Sequence, residues 1–289
     1  MTARLLSENA DAPVASGARA SASEKTLLVL EAALTHSRFT DVVAASGLAK
    51  ATTHRILGTL VDHQFVCVDA DGNYLPGRKI LSLAGTALQR LDISAIAQPL
   101  VDELVASSRC TIHLGVVNGD EIIYLIRTDS DRPYVMASRV GLAIPMHCTG
   151  IGKVVLASRD DHELERFVAR AGLPARTEHT ITSLQGLTTE IAEVRRLGYA
   201  LDREENVPGL GCVAAPIRDH TGTVKYGVSI TTLLIEHTLA QIEAMSGLVV
   251  QSADKISAAL GYRASPPTKT SSPTPAPTET EPPLTSSRP

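Results

Sequence analysis

Residues 40–79 read TDVVAASGLAKATTHRILGTLVDHQFVCVDADGNYLPGRK, and their patterning decides the fold of the first domain. Thr40 is a favourable helix N-cap, with Val42, Val43 and Ala44 opening an apolar stripe behind it. Ser46-Gly47 ends that helix, because glycine enters the left-handed conformation of a tight turn without steric cost. The next helix carries Ile56, Leu57 and Leu60 at helical spacing, with Thr53 on the same side. Its other side, near the N-terminal end, holds Lys50, Ala51, Thr52 and Arg55. Phe65 to Val68, a turn through Asp69, Asp71, Gly72 and Asn73, and Tyr74-Leu75 then read as a β-hairpin, for which Asp-Gly is a strong cue. Helix, turn, helix and hairpin in that order predict a winged helix-turn-helix, which lays its second helix in the major groove of DNA.

The polar strip at the start of that helix suits such a role. Helix N-terminal amides and cationic side chains favour phosphate, and Thr, Lys and Arg reach base edges. Residues 36–79 hold five Lys/Arg against four Asp, so the segment makes a few placed contacts and is not a non-specific nucleic-acid coat. The whole chain agrees: 289 residues carry a net charge of −4, with 44% hydrophobic and 20% charged residues, ordinary for a globular protein long enough for two domains. Cysteines 67, 110, 148 and 212 lie far apart with no CxxC or zinc-like cluster, which predicts reduced thiols, a cytoplasmic setting and neither metal nor cofactor. No run fits a secretory leader or a membrane span.

Residues 1–22 (Ala/Ser-rich) and 264–289 (Pro/Thr/Ser-rich) read as disordered ends. Between them the expected domains are the winged helix over 23–85 and a second domain over 86–263 that includes a linker helix. Helices are predicted at 25–36, 78–90, 92–108, near Ile151, at 160–171, 188–197 and 236–260. Strands are predicted at 110–117, 121–126, near Tyr134–Arg139, at 199–201, 212–217 and 224–232. Antiparallel hairpins mixed with helices give an α+β class.

Two loops of the second domain are candidates for a small-ligand site. Pro145 to Lys153 runs from loop into helix, and its glycines and free amides suit a carboxylate. The GIGK within it lacks the spacing of a phosphate-cradling loop. Asp202 to Cys212 is a loop re-entering the sheet, and Ser229 and Thr231 alternate onto one face of the last strand. Cys212, His147 and Asp202 also admit a thiol-enzyme reading, although no nucleophile motif surrounds Cys212.

Five ordered segments, GLAKATTHRILGTL, VDADGNYLPGRKILSLA, RVGLAIPMHCTGIGKVVLA, RRLGYALDREENVPGLGCVAAPIRD and VSITT, resemble IclR-type bacterial transcriptional regulators over about residues 24–262. The resemblance implies an N-terminal winged helix-turn-helix joined by a helical linker to a GAF/profilin-like α/β effector-binding domain. It places the DNA-contacting helix at 50–60 and makes Lys50, Ala51, Thr52, Thr53, His54 and Arg55 the candidate DNA-binding residues. Ala49 stands where the family often has proline, and Ala51 where it often has serine. For a small organic-acid effector it implies the amides of Gly150 and Ile151, polar contacts from Asp202, Cys212, Ser229 and Thr231, and an apolar wall of Met136, Ile144 and Met146. Thr231 replaces a frequent serine. The implied partners are double-stranded operator DNA, the effector, and a second copy of the chain in a homodimer or dimer of dimers, with no membrane partner. The setting implied is the cytoplasm, with nucleoid association when bound to operator. The implied function is a ligand-responsive transcriptional regulator, repressor or activator. The competing reading is an enzyme that acts on a small carboxylic acid through Cys212 and His147.

Overall fold

The structure is a computed structural model and describes residues 20–89, 92–131 and 137–263. The chain divides into two compact units between Leu91 and Asp92. The first contains α1 (Ala22–Thr35), α2 (Phe39–Ser46), α3 (Lys50–Asp62), β1 (Val66–Val68), β2 (Tyr74–Pro76) and α4 (Arg78–Gln89). The expected order of helices and hairpin is therefore present. Val29, Ala32, Val42, Leu48, Ile56, Leu57, Leu60 and Val66 form its core. Gly47 ends α2 at φ +65°, the left-handed turn that separates α2 from α3.

Two local expectations need correction. The helix α1 begins at Ala22, inside the stretch expected to be disordered, because Ser21 and Glu24 form a reciprocal capping box; residues 1–19 and 264–289 lie outside the described residues. Thr40 does not cap α2, which starts one residue earlier behind Arg38 with no side-chain cap, while the Thr40 hydroxyl bonds Asp41. The helix expected at 78–90 is present as α4, and α5 opens the second unit.

The second unit contains α5 (Ile93–Ser108), β3 (Thr111–Asn118), β4 (Glu121–Thr128), β5 (Ala143–Pro145), α6 (Gly150–Ala157), α7 (Asp161–Ala171), α8 (Leu184–Leu197), β6 (Ala200–Arg203), β7 (Leu210–Arg218), β8 (Val224–Leu233), α9 (Leu239–Ala244) and α10 (Ser246–Ala259). Its strands form one antiparallel sheet in the order β5-β4-β3-β8-β7-β6. The period-two alternation of the strands sends Ile112, Leu114, Val213, Ala215, Ile217, Val228 and Ile230 to one face, under α5 and α10. The other face takes Ile122, Tyr124, Ala200 and Ala214 against α6, α7 and α8. The expected single helix at 236–260 is two, broken at Met245. The short strand β5 was not expected. Of the strand expected near Tyr134–Arg139, residues 134–136 lie outside the described residues and 137–139 are not in a strand.

One irregularity shapes the site. The register of β3 with β4 shifts between Leu114, opposite Ile126, and Gly115, opposite Tyr124, so Leu125 is a bulge. Strict alternation from Ile126 would put Tyr124 on the α5 face; the extra residue turns it to the α6 face, beside His113.

Helix α6 comes unusually close to that face. A Cβ on Gly150 would lie 2.8 Å from the Cys212 sulfur, and one on Gly227 would lie 2.9 Å from Ile151. A Cβ on Gly152 would lie 2.2 Å from the Met146 backbone, which has no flexible end to move aside. Gly152→Ala is therefore expected to destabilise the second unit by about 1–3 kcal/mol. Gly247→Ala, at a helical glycine with nothing within 4 Å of the new methyl, is expected to be neutral or stabilising by up to about 1 kcal/mol. Urea unfolding of the two variants side by side checks this, and equal midpoints would disprove the close approach of α6.

Candidate functional site

In the first unit, α3 presents Lys50, Ala51, His54 and Arg55 on its exposed side, with Thr52 half-buried. Thr53 is wholly buried, and its hydroxyl donates to the Ala49 carbonyl at 3.3 Å. It packs with the core and is withdrawn from DNA, as its place on the Ile56 side of the helix requires. The His54 ring stands edge-on to Phe39, 6.0 Å between centroids. The hairpin is fixed at its turn and at the adjoining start of β2. Asp69 accepts the amides of Asp71 and Asn73 at 2.9 and 2.8 Å to close its turn, and the Tyr74 amide donates to the Ser37 carbonyl at 2.7 Å.

In the second unit a cavity of about 480 Å³ opens between the sheet and the start of α6. Ile144, Gly150, Ile151, Asp202, Cys212, Ser229 and Thr231 all line it. Strand register explains their convergence. Asp202 pairs with Cys212 and Cys212 with Thr231, giving one row across β6, β7 and β8; Ala214, Ser229 and His113 form the next. Thr149 caps α6, accepting the Gly152 amide at 3.3 Å and donating to the Pro145 carbonyl at 2.6 Å. The amides of Gly150 and Ile151 have no intrahelical carbonyl to bond, and that of Gly150 faces the Cys212 sulfur.

Two residues expected in the wall are not found there. Met146 is fully buried in the core between α6 and α7 and does not line the cavity, because α6 folds back over its backbone at Gly152. Met136 lies outside the described residues. Leu142, Val207, Pro208, Leu210 and Leu233 supply apolar wall instead.

Sequence reasoning missed His113, Tyr124, Ser138 and Arg176, which also line the cavity, while Asn206 comes from the expected Asp202–Cys212 loop. His113 was legible as a polar residue in an otherwise apolar strand. Its Nδ1 lies 3.2 Å from the Thr231 hydroxyl and its Nε2 2.8 Å from that of Ser138, and its ring stacks on Tyr124 at 4.4 Å. Burial, helped by the Arg127 guanidinium, pushes its pKa down to about 4, so the ring is neutral. Arg127 bonds Asp129 at 2.9 Å and also donates to the Ser138 carbonyl, tying that end of the cavity down. Arg176 gave no sequence signal, since its position depends on how the loop between α7 and α8 crosses the site. Thr177 and Thr180 fasten that loop, donating to the carbonyls of Glu204 and Glu205 at 2.6 and 2.7 Å. No carboxylate among the described residues lies within ion-pair distance of Arg176; its Nε reaches the Asn206 carbonyl at 3.4 Å.

Behind the cavity, Lys153 of α6 is fully buried, with its ammonium 2.5 Å from Glu205 and 2.8 Å from Glu190 of α8. Burial alone would lower its pKa, but the two carboxylates outweigh it and hold the lysine above its ordinary value. The GIGK lysine is thus a structural cation that fixes the Asp202–Asn206 loop to two helices. Burial, reinforced by Glu205, pushes Asp202 up to about 7. Burial pushes the Cys148 thiol up to about 12 and raises that of Cys212 further. Neither is an activated nucleophile. His147 does not line the cavity; it bonds the Pro174 carbonyl through Nε2 at 3.1 Å. The thiol-enzyme arrangement of Cys212 with His147 is not assembled. No group of three or more His, Cys, Asp or Glu fit to hold a metal occurs among the described residues.

Comparison with known proteins gives a consistent result. Residues 24–70 match the IclR helix-turn-helix domain and residues 85–258 the C-terminal domain of bacterial IclR transcriptional regulators. The chain is 34% identical to the transcriptional regulator KdgR of Escherichia coli (strain K12) over 216 residues, 74% of this chain and 82% of that protein. Among solved structures, the repressor BlcR of Agobacterium tumefaciens superposes with a TM-score of 0.70 at 22% identity, covering 83% of this chain and 97% of that one. An IclR homologue from Microbacterium hydrocarbonoxydans, complexed with 4-hydroxybenzoate, superposes at 0.53 with 21% identity, over 83% and 99% of the two chains.

Replacing Lys153 by Met leaves Glu205 and Glu190 facing each other without their shared cation, and is expected to cost about 3–5 kcal/mol of stability. A lysine held above its ordinary value of 10.5 contributes fully below that value and loses its contribution only as pH climbs through the raised one. The wild-type contribution should therefore be level from about pH 6 to 9. Chemical denaturation across that range measures it. A Lys153→Met protein as stable as wild type would refute the structural role.

Proposed function

The chain belongs to the IclR family of bacterial transcriptional regulators, and from that premise we propose that its second unit senses a small organic acid. The chain itself is a helix-turn-helix, DNA-binding transcriptional regulator, and the family is regulatory rather than enzymatic. The observation that carries the proposal is the cavity: the first-turn amides of α6 open into it beside Asp202, Cys212, Ser229 and Thr231, against an apolar wall. Helix-start amides without an intrahelical carbonyl favour a carboxylate, the hydroxyls suit an oxo or hydroxy group, and the apolar wall takes the carbon skeleton. The Microbacterium homologue solved with 4-hydroxybenzoate supports an acid of this kind. Arg176 adds a cation at the same cavity, with no carboxylate among the described residues in ion-pair distance.

On the DNA side, Lys50, Ala51, Thr52, His54 and Arg55 are the residues assigned to the operator, with Thr53 holding the helix from behind. A homodimer, or a dimer of such dimers, would set two such helices on the half-sites of a near-palindromic operator. The acid regulates binding to the extent that it prefers either the DNA-competent or the incompetent state.

Fluorescence anisotropy with the intergenic DNA upstream of the chain's own gene, across a salt series and with a panel of carboxylic acids, tests both halves. Arg55→Ala and Lys50→Ala are each expected to weaken operator binding about tenfold and to lower the slope of log affinity against log salt by about one for each phosphate left without its cation. Acid binding by these variants should be unchanged. Operator binding as tight in both variants as in wild type would remove α3 from the reading, and operator binding unmoved by every acid would remove the sensor.

A further inference from the structure

The ligand cavity contains a carboxyl group that an incoming acid must face. Asp202 is only 8% exposed and lines the cavity on β6. Its cross-strand neighbour is Cys212, whose sulfur would touch a Cβ on Gly150 at 2.8 Å. A carboxylate seated on the first-turn amides of α6 therefore stands beside the Asp202 side chain, a placement that rests on the cavity being an organic-acid site.

The charges around Asp202 do not welcome a second anion. On its own loop, Glu205 donates its amide to Asp202 Oδ1 at 2.8 Å, while its carboxylate approaches the same region and has one oxygen, Oε2, buried with no partner. From α6, Lys153 is the buried cation, but it already serves Glu205 and Glu190. From β7 and from the start of α6 come the thiols of Cys212 and Cys148, and from β4 the phenol of Tyr124; all three are held neutral by burial. His113 on β3 is neutral as well. Arg203 follows Asp202 but points to Glu190, at 3.6 Å. Arg176 is exposed and reaches the cavity from the loop between α7 and α8. One buried ammonium thus faces two carboxylates before Asp202 and the ligand are counted. Two carboxyl groups sharing such a site do not both ionise.

We propose that the acid binds this cavity together with one proton, carried on Asp202 Oδ2, which donates a hydrogen bond to the ligand while Oδ1 keeps the Glu205 amide. The effector response is then linked to pH. Below the range where Asp202 ionises, the proton is already in place and affinity is flat; above it, each binding event must take up a proton from solution. The high-lying Asp202 carboxyl, near 7 without ligand, sets where the change begins.

The test is titration calorimetry of the full chain with 4-hydroxybenzoate and with pyruvate, in two buffers of unlike ionisation heat, at about pH 5.5 and about pH 8. Expected is close to one proton taken up per acid bound at the higher pH and almost none at the lower, with Kd weakening about tenfold per pH unit above 7. Asp202→Asn, which supplies a permanent N–H donor in place of the protonated carboxyl, should abolish both the uptake and the slope. Carbon-13 titration of the wild-type aspartates, with Asp202→Asn identifying the resonance, reads the same proton without relying on the variant's binding. Its midpoint should lie near 7 in the free protein and rise when acid is added. Acid binding without proton uptake, or an Asp202 resonance that titrates in the ordinary carboxylate range, would overturn the proton linkage and leave the organic-acid sensor standing. Failure of wild type and Asp202→Asn alike to bind either acid at any pH would remove both.

Discussion

The close seat of α6 on the sheet is the constraint from which the second unit follows. Gly150 and Gly227 leave no Cβ between helix and strands, so the first turn of α6 lies directly over Cys212 and Ala214. That approach sets Gly150 and Ile151 in the wall of the cavity, with the Gly150 amide on the Cys212 sulfur. The same helix carries Lys153 inward to Glu190 and Glu205, so one element both opens the site and fixes the loop that bears Asp202. A buried ammonium with two carboxylates is a costly arrangement unless each charge is met. Its presence here ties α6, α8 and the β6–β7 loop to a single geometry.

The chemistry of the cavity is that of recognition. Burial disfavours charge on three of its titratable groups: His113 is unprotonated between two hydroxyls, Cys212 is a thiol and Asp202 is raised. Turnover needs a nucleophile matched to a base; the thiol at Cys212 has no lowered pKa, and the ring nitrogens of His113, which lines the cavity, lie against Thr231 and Ser138. Binding needs convergent polar groups on an apolar wall, and these are present. The first unit makes a similar use of modest means. Its side of α3 offers Lys50, His54 and Arg55 without a large basic field, which favours placed contacts over indiscriminate attraction.

The sequence by itself determined the order of elements in the first unit and most of it in the second, because periodicity, the Gly47 turn and the Asp-Gly hairpin are local signals. It also determined which face of β8 carries Ser229 and Thr231, since alternation along one strand needs no partner. The family resemblance gave Asp202 and Cys212, already singled out on their loop, the role of effector contacts. Local reasoning failed where a competing local interaction was stronger: the Ser21–Glu24 capping box lengthened α1, and α2 began ahead of Thr40. Only the tertiary structure decided the rest. Met146 was withdrawn by packing, beneath Gly152. Tyr124 was brought in by a bulge, which breaks the alternation that sequence reasoning assumes. Arg176 and the Lys153–Glu205 pair join residues far apart in the chain, and their meeting depends on how loops cross between helices. Periodicity states which side of its own element a residue takes; it carries no information on what another element places opposite.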